Sequence, residues 1–209
     1  MDLKPGVTFP DYELPDHTGV PRRLSILQGR DPMVIILGRG RFCAKDHRQL
    51  LDLRDFSQDC AVGYTQLVTI TADPVKELNG LRLDVAADWI FLSDEEKRIQ
   101  RDFAIEEYTD TKRRPMIPHS LVLEPGLKLY KVYNGYWFWG RPTPHELHLD
   151  LRAVSEKIRP DWRIDTPELR AAWERGEKER FFPYGQDSHE ILERMSRAVD
   201  QFAGTSRDR

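Results

Sequence analysis

The feature that most constrains this chain is an unbroken apolar run, Met33-Val34-Ile35-Ile36-Leu37. Consecutive apolar residues leave a strand no polar face, so the run fits a central strand covered on both sides. At five residues it is far too short to cross a bilayer. Gly38-Arg39-Gly40-Arg41 follows as a loop. From about Ala44 to Gln58, Leu50, Leu51, Leu53 and Phe56 recur at roughly helical spacing, which predicts a helix.

The rest of the chain repeats that alternation in kind. Short apolar pieces punctuated by Pro10, Pro15, Gly19 and Pro21 predict two short strands joined by a turn at Asp16-His17-Thr18-Gly19. Gln66–Thr71 reads as a strand and Asp73-Pro74 as the opening of a helix. Trp89–Leu92 reads as a third strand, with Ser93 as the cap of a helix carrying Ile99 and Phe103. His119–Leu123 and Leu129–Tyr133 flank a Glu124-Pro125-Gly126 turn, which is a hairpin. Thr143, Pro144 and Glu146 have the spacing of a capping box. The sum is an α/β sandwich with a mixed central sheet, preceded by a strand-and-turn extension. Residues 1–155 are expected to form this domain. Residues 156–209, rich in Arg, Glu and Asp, are expected to form a C-terminal helical extension with helices near 166–178 and 187–203.

Two cysteines in 209 residues, Cys43 and Cys60, exclude a disulfide scaffold and a Cys₄ zinc site. The formal charge of -3 argues against general binding to nucleic acid or a membrane surface. Met1–Pro5 carry charges and a proline and no apolar signal core, so a cytoplasmic protein is expected. Cys43 stands between the central strand and the start of the helix. Unpaired amides and the helix dipole favour a thiolate there, and the thiolate is the nucleophile. Arg39, Arg41, Lys45 and Arg48 surround it against the single acid Asp46, a local excess of +3. The plainer reading makes Cys43 a buried apolar residue and the cations a solvated rim.

The segment Arg39-Gly40-Arg41-Phe42-Cys43-Ala44-Lys45-Asp46-His47-Arg48-Gln49-Leu50 resembles the active-site segment of the peroxiredoxin-like branch of the thioredoxin superfamily. That branch includes the alkyl hydroperoxide reductases, thiol-specific antioxidants and redoxins. Gly6–Asp16, Val68–Pro74, Leu92–Asp94, Ile117–Gly126 and Gly140–Thr143 resemble further pieces of the family in the same order. The likeness spans about residues 4 to 154. It implies a thioredoxin-like fold and a thiol oxidoreductase that uses no flavin or metal. Its substrate would be a peroxide or another electrophile, and its reductant an external thiol or a thioredoxin-type protein.

Departures shape this expectation. Asp46 stands where the family has its second cysteine, Ile36 and Gly40 where it has Pro and a hydroxyl residue, and Pro118 where it has an active-site Arg. Arg39 or Arg141 is then the candidate cation. Asp46 either orients a substrate or proton or is a first-turn acid. Cys60 lies about 25 Å from Cys43 if the helix is continuous, beyond the ~7 Å a disulfide allows, so no internal resolving thiol is expected. The catalytic candidates are Cys43, Arg39, Asp46 and Arg141, with a pocket of Phe42, Lys45, Pro118, His119 and Trp137. His119 is either an acid–base group or a satisfied structural histidine. The aromatic run Tyr133–Gly140 is read first as a seat for the C-terminal extension, otherwise as a wall over Cys43 or a homodimer face. His145 and His148 are three apart, but no third ligand accompanies them. The expected function is a single-cysteine peroxiredoxin-like thiol oxidoreductase. The alternative is a redox-silent or redox-sensing thioredoxin-fold binding module, and a third reading is a pathway enzyme with specialised thiol chemistry.

Overall fold

The computed structural model describes residues 2–181. The chain divides into two compact units, residues 1–151 and 152–209. The first holds a five-stranded mixed sheet of order β5-β4-β3-β6-β7. Its centre is β3 (Met33–Leu37), the apolar run, all five residues of which are buried. Strand β4 (Gln66–Thr71) pairs with it in parallel, and β5 (Ile90–Ser93) continues that side. On the other side β6 (His119–Glu124) runs antiparallel to β3 and makes the expected hairpin with β7 (Lys128–Asn134). A separate hairpin of β1 (Glu13–Pro15) and β2 (Pro21–Arg23) precedes the sheet. Its turn is pinned by the Asp16 carboxylate, which accepts the Thr18 and Val20 amides and the Arg22 guanidinium.

Strand alternation divides the core. Met33, Ile35 and Leu37 join Phe9, Leu24, Ile99 and Phe103 in one cluster, where Phe9 and Phe103 stack at 5.3 Å. Val34 and Ile36 face the other way. On that face Gln49 of α2 (Ala44–Val62) donates to Ser120, the cross-strand neighbour of Ile36.

The helices differ from expectation in detail. A one-turn helix, α1 (Leu24–Gln28), follows β2 unannounced by any apolar period. Helix α2 runs four residues past Gln58 and ends at Gly63. Helix α3 (Val75–Asp84) begins after Pro74. Helix α4 (Arg98–Asp102) is capped by Asp94, whose carboxylate accepts the Arg98 and Ile99 amides. Ser93, the expected cap, instead ends β5 and donates to the Asp73 carbonyl. Helix α5 (Pro144–Ile158) begins with the expected capping box, Thr143 and Glu146 each accepting the other's amide.

In the second unit α6 (Pro167–Glu174) is capped by Thr166 and stops four residues before the expected end. Gly176, at φ 81°, turns the chain just beyond it. Trp173 packs edge-on against Phe181, so these two aromatic residues partner each other. The helix expected near 187–203 lies outside the described residues. Among the described residues no helix is long and apolar enough to cross a membrane.

Candidate active site

Cys43 is the N-cap of α2, the last extended residue before the helix begins. It is 4 % exposed. Its carbonyl accepts the Asp46 and His47 amides, which starts the helix, while its side chain caps nothing. The sulfur is therefore available to other groups, and one reaches it: Arg39 Nη1 donates to Sγ at 3.6 Å. Arg39 is held from behind, its Nε donating to Glu107 Oε2 at 2.7 Å, with Asp110 at 3.8 Å from Nη2. Thr109 donates to the other Glu107 oxygen. Partial burial works against the Arg39 charge, but Cys43 and Glu107 outweigh it and raise the guanidinium pKa above its ordinary value. Phe42 covers the outside of this arm, with the Arg39 and Arg113 guanidinium carbons 5.3 and 4.5 Å from its ring centroid.

The local excess of +3 is cancelled in three dimensions. Arg41 pairs with Glu77 and Asp84, both at 2.9 Å, and Arg48 pairs with Asp52. These acids come from α3 and from one turn further along α2. Proximity in sequence thus overstated the field at Cys43, and the cation that touches the sulfur is Arg39.

Asp46 and Arg141 form a second layer. Both are buried, and Arg141 Nη2 donates to Asp46 Oδ1 at 2.6 Å. Arg141 Nη1 donates to Gln49 Oε1 at 2.5 Å, and Gln49 in turn donates to Ser120. Asp46 Oδ2 accepts the Gly40 amide at 2.9 Å. Asp46 thus fixes the loop ahead of the cysteine, and Arg141 ties α2 to the segment before α5. Of the two candidate arginines, Arg39 contacts Sγ and Arg141 braces the frame.

The missing hydroxyl residue has a physical reason. Gly40 sits at φ +119°, and a Cβ there would lie 2.6 and 2.8 Å from the two Asp73 carboxylate oxygens. Asp73 accepts the Arg41 amide and the Thr71 hydroxyl, so it cannot easily withdraw. Burial, with Asp46 and Glu77 nearby, raises its pKa above the usual carboxylate value.

Pro118 is buried, and its carbonyl accepts the Gly135 amide at 2.8 Å, anchoring the aromatic run. His119 opposes Leu37 across the sheet, and its Nδ1 donates to the Ile117 carbonyl at 2.9 Å. Burial lowers its pKa below the ordinary imidazole value, against the opposing pull of the Ile117 carbonyl. The aromatic run was expected first to seat the C-terminal extension. Tyr136, Trp137, Phe138 and Trp139 line a cavity of ≈ 450 Å³ with Arg39, Lys45 and Glu107. His145 and His148 are exposed on α5, and among the described residues no group of three His, Cys, Asp or Glu could hold a metal ion.

Cys60 is 3 % exposed in the last turn of the same unbroken helix. Burial, with Asp59 and Asp88 nearby, pushes its thiol pKa far up. The Glu107–Arg113 loop, which holds Arg39 and flanks Phe42, had no signal in the sequence. Gln49 did have one, as part of the motif, but its role as a link between Arg141 and Ser120 appears only in the structure.

The model of the AhpC/TSA family matches residues 5–131. A Mycobacterium tuberculosis protein named as a candidate peroxiredoxin is 28 % identical over 132 residues, covering 63 % of this chain and 86 % of its own. The crystal structure of peroxidoxin BcpB from the same organism superposes with a TM-score of 0.63 at 24 % identity, over 73 % of this chain and 97 % of that one. Enterococcus faecalis AhpC gives 0.63 at 13 % identity, over 74 % and 93 %. A yeast mitochondrial 1-Cys peroxiredoxin gives 0.60 at 10 % identity, over 74 % and 78 %. These likenesses show the fold, a thioredoxin-like sandwich with a mixed sheet.

Proposed function

We propose, for a chain that belongs to the AhpC/TSA family, that Cys43 is the nucleophile of a thiol peroxidase working with a single cysteine. The observation that carries this reading is the donation of Arg39 Nη1 to Sγ at the head of α2. The Cys43 thiolate attacks the distal oxygen of a hydroperoxide. An S–O bond forms, the O–O bond breaks, and the alkoxide leaves as an alcohol after taking a proton. Arg39 and the positive end of the α2 dipole stabilise the charge as it moves from sulfur to the leaving oxygen. Cys43 is then a sulfenic acid. One external thiol displaces water to form a mixed disulfide, and a second releases the Cys43 thiol and an external disulfide. One hydroperoxide and two thiols thus give one alcohol, one water and one disulfide.

The external reductant follows from the placement of Cys60, at the far end of α2 with its thiol buried. The yeast mitochondrial 1-Cys peroxiredoxin, whose thiol is resolved via glutathione/thioredoxin systems, offers a precedent for such a cycle. Residues 1–155 carry the chemistry in this reading, with 156–209 as an extension. The test is steady-state peroxide consumption with glutathione or thioredoxin as reductant. Cys60→Ser should keep the wild-type rate and Cys43→Ser should lose it. Loss of turnover in Cys60→Ser would show a two-cysteine cycle. A wild-type rate no faster than Cys43→Ser would favour the redox-silent reading.

A further inference from the structure

We propose that the cavity lined by Arg39, whose guanidinium reaches Cys43 Sγ, selects a hydroperoxide with an aromatic body and a carboxylate, the carboxylate held by Lys45 and the ring by the Tyr136–Trp139 loop. This deepens the peroxidase reading and rests on it for the reactive group alone. Three observations carry it. The first is size: a cavity of ≈ 450 Å³ falls within the ~300–1,000 Å³ range of small-molecule sites and exceeds what hydrogen peroxide needs.

The second is the wall. Trp137 is 74 % and Trp139 90 % exposed, an unusual display of large rings for a single short loop. The loop is held open by its own bonds. Gly135 donates to the Pro118 carbonyl, Tyr136 to Asn134 Oδ1 at 3.1 Å, and Gly140 to the Trp137 carbonyl at 2.9 Å. Gly135 also lies against the Arg141 stem, where a Cβ would fall 2.8 Å from Cγ. The rings are therefore presented by a braced turn, which lowers the cost of ordering them around a guest.

The third is charge. Arg39, Arg41 and Arg48 are each matched by acids, as described above. Lys45 lines the cavity and has no ion-pair partner among the described residues. Glu107, the acid in the wall, is engaged by Arg39 and Thr109. An uncompensated ammonium facing aromatic rings, two residues after the thiol, matches an aromatic carboxylate. The hydroperoxide group would then lie at Arg39, the lining residue that reaches Sγ, and react by the balanced step given above.

The test uses the full chain and two readouts. Calorimetric titration with 4-isopropylbenzoate and its neutral amide measures recognition without turnover. The benzoate should bind about tenfold tighter than the amide, as expected for a charged hydrogen bond. Lys45→Gln should erase that preference, and Trp137→Ala should weaken both ligands by about tenfold. Stopped-flow oxidation of Cys43 should then rank 4-carboxycumene hydroperoxide above cumene hydroperoxide above hydrogen peroxide. Trp137→Ala should lower the ratio of the aryl rates to the hydrogen peroxide rate. Equal binding of benzoate and amide, or binding indifferent to both substitutions, would overturn the proposal. Fast oxidation by hydrogen peroxide with no benzoate binding would sink the cavity assignment and leave the peroxidase standing. Benzoate binding to a Cys43 inert toward every peroxide would do the reverse. A preference for aliphatic over aryl hydroperoxides would contradict the ring assignment.

Discussion

The two ends of α2 each bury a cysteine, and they differ in what lies opposite the sulfur. Cys43 precedes the first turn and receives a guanidinium N–H at 3.6 Å. Cys60 sits in the last turn with Asp59 and Asp88 as its charged neighbours, and burial raises its pKa. Burial is nearly the same, 4 % and 3 %. The difference is therefore electrostatic and positional: a thiol facing donors and a cation is prepared for ionic chemistry, whereas one facing carboxylates is not. The same contrast separates the two arginines, since Arg39 points its charge at the sulfur and Arg141 points its charge into the frame.

The sharpest way to break the first contrast is to exchange the roles of the thiols in turnover. Cys43→Ser should reduce peroxide consumption to background, while Cys60→Ser should keep it and cost about 1–2 kcal/mol of stability by denaturant melts. The second contrast predicts opposite signatures. Arg141→Met leaves the buried Asp46 carboxylate without its cation, which should cost about 3–5 kcal/mol of stability. Arg39→Met also strands Glu107, but at a more exposed pair, so it should cost less stability than Arg141→Met while slowing Cys43 oxidation about 10²–10³-fold in stopped-flow assays. If both substitutions act on stability alone, Arg39 has no role at the sulfur.

Much of the frame was legible because it rests on local periodicity. Met33–Leu37 has no polar face, and the hairpin around Pro125-Gly126 announces itself by alternation and turn residues. The start of α5 is written in Thr143 and Glu146. What could not be read depends on distant pairing. The cation excess around Cys43 looked real along the chain, yet Glu77 and Asp84 cancel Arg41 from 36 and 43 residues away. Glu107, 68 residues from Arg39, aims the guanidinium at the thiol, and no spacing rule points to it. Ser93 and Asp94 are adjacent cap types, and only the strand's end decided between them.

Gly40 sharpens the comparison with the family pattern. Gly40→Ala should cost about 1–3 kcal/mol, because it puts a Cβ at φ +119° against the Asp73 carboxylate. A hydroxyl introduced there should not raise the rate. A pH-dependent effect belongs to Cys60. Its thiol ionises in the unfolded chain above the ordinary value of 9.0 and stays protonated in the fold. The raised folded value gives stability that is present below pH 9.0 and lost as pH rises above it. The loss should reach about 1.4 kcal/mol per pH unit. In Cys60→Ala that component of the alkaline slope should vanish in urea melts followed from pH 8 to 11.

The most direct test of the central claim is site-resolved trapping of sulfenic acid. The full chain is pulsed with hydroperoxide, labelled with dimedone and read by peptide mass spectrometry. The account predicts label on Cys43, formed far faster than on free cysteine, with Cys60 unlabelled until the protein unfolds. Equal labelling of the two thiols, or earlier labelling of Cys60, would contradict it.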